Sequence, residues 1–143
     1  MAVVDGRTWM EHLPAQECWA LLAEAPVGRV GVLVDSAPEI YPVNYAVDGE
    51  SVVFRTDPGT KLRALDRSPS VCFEADDVDA EDRTGWSVLI KGRATELSSA
   101  ADLVTAGELP LRFWGSGDKS HWVRIVPAEI TGRRIGPIGR HER

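Results

Sequence analysis

A chain of 143 residues, 43% hydrophobic and 27% charged, is long enough for one domain with a sizeable core, and its composition is that of a soluble globular protein. A net charge of −6 without any basic block argues against nucleic acid, whose binding needs clustered Lys and Arg to displace counterions. No apolar run approaches the ~20 residues of a membrane span, and MAVVDGRTWMEH lacks a basic-then-apolar leader; a single cytoplasmic domain over residues 1–143, with no membrane partner, is expected. Cys18 and Cys72 form no CxxC pair, which leaves neither a disulfide framework nor a zinc ligand set.

PAQECWALLAEA, from Pro14 to Ala25, places Cys18, Leu21 and Leu22 on one helical stripe, with Pro26 as a stop. The period then changes. GRVGVLVD, PEIYPVNYAVDG and ESVVFRT are β-rich runs separated by turn residues. Asp48-Gly49 between two of them is a hairpin signal. DPGTKLRALDR predicts a short helix with Asp57 as N-cap, Pro58 at the first position, and Leu62 and Leu65 inward. SVCFEA is a strand with Cys72 turned inward, and DDVDAEDRTG an acidic loop. GWSVLIKGRATEL is a long strand, SSAADLVTAGEL a short helix, and HWVRIVPAEITGRRI a final strand broken near Pro127. The expected fold is therefore mainly β with short helices. About six antiparallel strands, with too few helices to cover two faces, favour a small closed barrel.

Positive charge is local. Arg55, Lys61, Arg63 and Arg67 cluster in and after FRTDPGTKL. Arg55 ends a strand, and Lys61 belongs to the first turn of a helix, where unpaired N–H groups and the helix dipole attract anions. Arg, Lys and the hydroxyls of Thr56 and Thr60 suit a phosphate. The local alternative is a capped turn with solvated basic residues, and both readings stay open at this level.

Other constellations carry less. DVDAED, from Asp77 to Asp82, imitates the start of a calcium loop but has Asp82 where Gly is needed and Val88 where Glu is needed. GSGDKS, from Gly115 to Ser120, is an incomplete dinucleotide fingerprint without βαβ context. His121 has no evident acidic or nucleophilic partner in the sequence, and Trp86 suits core or cofactor contact.

PVNYAVDGESVVFRTDPGTKLRALDRSPSVCFEADD, then RTGWSVLIKGRA, then HWVRIVPAEITGRRI, resembles the pyridoxamine 5′-phosphate oxidase-like family, particularly its short flavin-nucleotide-binding members. The resemblance runs from about Cys18 to Ile135, with FRTDPGTKL and GWSVLIKGRA its most specific parts. It implies an FMN-binding split β-barrel that forms a homodimer with flavins at the subunit interface. By the same resemblance Arg55, Thr56, Thr60 and Lys61 would hold the FMN phosphate. Pro42, Val43 and Asn44 would line the isoalloxazine edge, Trp86 and Ser87 would reach the ring, and Trp114 would approach it from the second subunit. The larger oxidases usually carry Gln where this chain has Ser87, and continue into an Arg-rich, His-containing segment that IGRHER does not match in spacing. Pyridoxamine phosphate is therefore not the expected substrate.

Two function classes follow from the resemblance. One is a flavin-dependent oxidoreductase acting on a small organic substrate or reductant. The other is a non-catalytic flavin carrier or redox sensor; a deazaflavin in the same groove is the alternative cofactor. No obligatory acid–base residue stands out, which suits hydride transfer by positioning.

Overall fold

The computed structural model describes residues 2–4, 8–111 and 121–137. Its elements, in order, are β1 (Ala2–Val4), β2 (Thr8–Leu13), α1 (Ala15–Glu24), β3 (Val27–Val34), β4 (Ala37–Val47), β5 (Val52–Thr56), α2 (Thr60–Arg67), β6 (Ser70–Asp79), β7 (Thr84–Glu96), α3 (Ala100–Gly107) and β8 (His121–Pro137). All the strand pairs are antiparallel.

Six strands close a ring. β3 pairs with β4, β4 with β5, β5 with β8, β8 with β7, β7 with β6, and β6 returns to β3. The expected six-stranded barrel is this ring, but the described sheet has eight strands. β2 adds to the far half of β8, from Gly132 to Pro137, and β1 adds to β2. Only the first half of β8 meets β5, so β8 leaves the ring partway along and the barrel is split. The two N-terminal strands escape the sequence pattern because TWMEHL puts Glu11 between its two buried residues, Trp9 and Leu13.

Alternation places the core inside this ring. Val30, Val32, Val52, Phe54, Val71, Phe73, Val88, Ile90, Val123 and Ile125 are all buried in one cluster. Helix α1 contributes Cys18, Leu21 and Leu22 to that cluster, and α2 contributes Leu62, Ala64 and Leu65. Tyr45 crosses its ring edge-on to Phe73 at 4.8 Å and donates its hydroxyl to the Leu22 carbonyl at 2.6 Å, which ties α1 to the barrel.

Four local expectations change. Helix α2 starts at Thr60 with Gly59, not Asp57, as N-cap. Gly59 adopts φ 157° and ψ −158°, a region open only to glycine, so the turn is made by the Gly of Pro-Gly. The acidic run is not a loop: β6 continues to Asp79, and the Asp79 carboxylate caps a short turn by accepting from the Asp82 N–H at 3.0 Å. β8 does not break at Pro127. It bulges, because Lys91 pairs with Glu129 while Gly92 pairs with Pro127. Cys72 is exposed, since Val71, Phe73 and Ala75 take the inward positions of β6.

Among the described residues, no helix is long and apolar enough to cross a membrane.

Candidate functional site

The Asp48-Gly49 turn, with Gly49 at φ 60°, returns the chain from β4 into β5 in register Tyr45–Phe54. Strand parity then sorts the side chains. Thr56 joins Val52 and Phe54 in the interior and is 1% exposed; its hydroxyl donates to the Asp57 carbonyl at 3.3 Å. Arg55 takes the opposite face. Its cross-strand partner on β8 is Trp122, and the guanidinium carbon lies 4.9 Å from the centre of a Trp122 ring.

Six residues further on, Lys61 is the second residue of α2. Its ammonium lies 5.4 Å from the centre of the Tyr41 ring and 5.9 Å from that of Phe54. Tyr41 donates its hydroxyl to Glu39 at 2.8 Å, and that hydrogen bond pushes its pKa up. Thr60 is exposed at the mouth of the same turn, with Arg63 Nη2 3.5 Å from its Oγ1. The N-cap residue of α2, Gly59, has no side chain with which to cap it. The first-turn N–H groups of a helix lack intrahelical acceptors and favour an anion. The turn between β5 and α2 is therefore flanked by two cations, each beside an aromatic ring, and leads into a helix whose N-cap is glycine.

On β4, Tyr41, Val43 and Tyr45 lie on the inward side, while Pro42 and Asn44 face outward. One step along the β4–β5 register sets Asn44 opposite Arg55. Asn44 Nδ2 also donates to the Pro26 carbonyl at 3.4 Å. Val43 is 6% exposed and contributes to the core rather than to an outer surface.

Trp86 and Ser87 lie on β7, separated from β4 around the barrel by β3 and β6. Trp86 packs partly against the core cluster. Both residues line a pocket of about 390 Å³ with Glu74, Asp76, Arg133 and Ile135. The ground between this pocket and β4 is an ionic cluster. Arg29, opposite Pro42 on β3, reaches Glu74 at 3.3 Å and Asp76 at 3.4 Å. Burial, then the hydrogen bond with Asp76, push the Glu74 carboxyl up to about 7 despite Arg29. Asn44 and Arg55 thus lie on the outward face of β4 and β5, Thr60 and Lys61 open α2 after the turn, and Trp86 and Ser87 lie elsewhere on the wall. Trp114 lies outside the described residues.

Sequence reading missed Tyr41, Trp122, the Arg29 cluster and a partner for His121. His121 Nδ1 is 2.7 Å from Glu96 Oε2, and His121 pairs across the sheet with Thr56. These contacts depend on strand pairings that no local pattern encodes. Among the described residues, no group of three or more His, Cys, Asp or Glu could hold a metal ion.

Comparison with known proteins bears on this arrangement. The family model for pyridoxamine 5′-phosphate oxidase matches residues 14–134. An uncharacterized protein of Mycobacterium tuberculosis is 37% identical over 129 residues, covering 87% of this chain and 84% of its own. The structure of the FAD binding protein from Mycobacterium smegmatis is 42% identical, covers 87% of this chain and 97% of its own, and superposes with a TM-score of 0.73. A Corynebacterium glutamicum structure named for the same oxidase is 34% identical, covers 94% and 97%, and reaches a TM-score of 0.80. With its six-stranded ring, split at β8, and a family match over most of its length, the chain belongs to the pyridoxamine 5′-phosphate oxidase family.

Proposed function

We propose that this protein binds a flavin nucleotide and serves as a flavin-dependent oxidoreductase on a small organic substrate. The observation that carries the reading is that Arg55 and Lys61, each beside an aromatic ring, flank the turn leading into α2, whose N-cap is Gly59. Both cations are held by rings, so little rotamer freedom is lost when an anion arrives. That site fits the phosphate of FMN. The FAD binding protein at 42% identity supports extension of the same ligand to the dinucleotide.

In this reading Arg55 and Lys61 neutralise the flavin phosphate, and Thr60 donates its hydroxyl to it. Thr56 acts differently from the initial expectation: its buried hydroxyl fixes the turn through the Asp57 carbonyl. Pro42 and Asn44 offer an outward strip of β4 for the edge of the ring, with the Asn44 amide as its polar contact. Bound flavin supplies two-electron hydride chemistry. The pocket bounded by Trp86, Ser87, Glu74 and Arg133 would then meet the ring or substrate of a second copy, which makes the working unit a homodimer.

The test starts from the absorbance spectrum of the purified protein, with oxidised-flavin bands expected. Stopped-flow mixing with NADH and NADPH follows. Bleaching within seconds supports the oxidoreductase, whereas bound flavin that neither donor reduces indicates a carrier or sensor. A protein that takes up deazaflavin but not FMN would overturn the cofactor assignment.

A further inference from the structure

We propose that the pocket bounded by Trp86 and Ser87 takes a small aromatic or branched monocarboxylate, with Arg133 holding its charge. The proposal names the substrate class for the flavin reading above, and it rests on that reading only for what happens after binding. The pocket, of about 390 Å³, has the size of a small-molecule site.

Sheet register makes its floor two-sided. Antiparallel partners put their side chains on the same face. Asp76 on β6 pairs with Ser87 on β7, Ser87 with Arg133 on β8, and Arg133 with His12 on β2. Two residues along, Val78 pairs with Gly85, Gly85 with Ile135, and Ile135 with Met10. A polar row thus runs beside an apolar row across the same four strands. Gly85 has no side chain, which leaves the apolar row hollow between Val78 and Ile135, both exposed. A ligand with one charged end and one apolar end matches this floor.

Arg133 supplies the charge. It is exposed and lines the pocket, and among the described residues it has no ion-pair partner. Arg134, on the opposite face of β8, is taken by Glu17 at 2.8 Å. A guanidinium fork binds a carboxylate through two parallel hydrogen bonds, and the neighbouring Ser87 hydroxyl adds a further donor.

Glu74 and Asp76 do not cancel this charge at neutral pH and below. Arg29 Nη1, from β3, reaches Glu74 at 3.3 Å and Asp76 at 3.4 Å, so both carboxyls meet at one guanidinium. Burial and then Asp76 push the Glu74 carboxyl up to about 7, against the pull of Arg29. The remaining surroundings of Glu74 are quickly named. β7 sets Leu89 opposite it, with Lys91 beyond and 4.0 Å from Glu129. β8 contributes Arg133, and β2 contributes His12 at the end of the polar row. The Tyr45 phenol of β4 is pushed up, first by burial and then by the Glu74 charge, and stays neutral. Below about pH 7, two guanidiniums therefore face one carboxylate, and the Glu74 O–H is one more donor for an anion. Above it, the second carboxylate balances the charge, so anion binding weakens as pH rises. An amine would meet Arg29 and Arg133, and a dicarboxylate would set its second charge on the apolar row.

Calorimetric titration of the full-length protein with benzoate tests the assignment. Benzoate should bind at pH 6 and about tenfold more weakly at pH 8, as the protonated fraction of a group titrating near 7 falls. Arg133→Gln should weaken benzoate at least about tenfold at pH 6. Glu74→Gln should give the same affinity at both pH values, and it keeps the test open if Arg133→Gln does not fold. Benzylamine should not compete. Absence of benzoate binding at pH 6, an affinity unchanged in Arg133→Gln, or binding that tightens toward pH 8 overturns the proposal. The absorbance spectrum of the same sample separates the two readings. Flavin bands without benzoate binding sink the pocket assignment alone, and benzoate binding without flavin bands sinks the flavin reading alone.

Discussion

Arg55 and Trp122 face one another across β5 and β8, with the guanidinium 4.9 Å from the indole. The pair joins two segments 67 residues apart and holds a cation on the outer face of the barrel. An Arg stacked on a ring is oriented by it, and its planar fork of donors suits a phosphate. A double-mutant cycle measures this. Trp122→Leu should weaken FMN by about 0.5–1 kcal/mol in the parent background and by little in an Arg55→Ala background. Equal losses in both backgrounds would show that Trp122 acts by packing alone.

Direct loss of the cations should cost more. Each charged hydrogen bond to a phosphate is worth about 1.5–3 kcal/mol, so Arg55→Ala and Lys61→Ala should each raise the FMN dissociation constant about ten- to a hundredfold. Arg63→Ala is the charge-matched control for FMN, because Arg63 faces the groove between α2 and the β3–β4 turn. Riboflavin lacks the phosphate and should bind weakly, with little further loss in either variant. Similar affinity for riboflavin and FMN would remove the phosphate from the argument altogether.

The parts legible in the sequence are those set by local chemistry. Asp48-Gly49 made its hairpin because Gly49 alone tolerates φ 60° cheaply, and α1 followed the spacing of Cys18, Leu21 and Leu22. FRTDPGTKL announced a basic turn before a helix. Its cap was misplaced, since Asp57 and Pro58 carry strong N-terminal preferences while the actual break is the unusual backbone of Gly59. The braces behind the cations were not legible. Trp122 and Tyr41 reach Arg55 and Lys61 only through sheet register and the docking of α2, which are set by the whole ring. The parity of β6 was misjudged for the same reason, which turned Cys72 outward.

Gly92 marks the bulge that lets β8 turn past β7. A Cβ there would collide with the Val126 carbonyl and lie 2.9 Å from Pro127 Cα, both backbone atoms with little room to shift. Gly92→Ala should therefore destabilise by about 3 kcal/mol, near the upper end for overpacking, and lower the melting temperature by about 10 °C. Gly107→Ala, with nothing within 4 Å of the added carbon, should stay within about 1 kcal/mol of the parent. Thermal unfolding of both variants checks the pair.

Glu74 gives the protein a pH signature. Its carboxyl is pushed up from 4.5 to about 7, first by burial and then by Asp76, against the attraction of Arg29. The folded state thus holds the proton more tightly than the unfolded chain. The resulting stabilisation is complete below about pH 4.5 and is lost as pH rises through about 7. Glu74→Gln mimics the protonated form and should be the more stable protein above pH 7, with the difference vanishing below 4.5. Because the side chain is 34% exposed, solvent screening reduces the effect to on the order of 1 kcal/mol. Melting curves from pH 4 to 8 report it; a difference that grows toward low pH would reverse the assignment.

A second copy of the chain is the expected partner. Ile40, Val78, Val126 and Ile135 are 72%, 70%, 52% and 44% exposed on outward strand positions, more large apolar surface than a small barrel gains from leaving in water. Ile135 and Val78 border the Trp86–Ser87 pocket, so covering them would also carry that pocket onto a neighbour. A two-fold interface repeats every contact and suits a site whose phosphate end and ring-facing pocket lie on different parts of one barrel wall. Light scattering should give the mass of a dimer, near twice 15.6 kDa, at micromolar concentration. Ile135→Asp with Val78→Asp should shift it toward the monomer and, with it, weaken flavin by at least tenfold, since half the site would be gone. Trp114→Ala is the finer probe of the same interface, expected to cost FMN about 1–2 kcal/mol if its indole packs on the partner's flavin. A monomer that binds flavin as tightly as the parent would place the entire site within one chain.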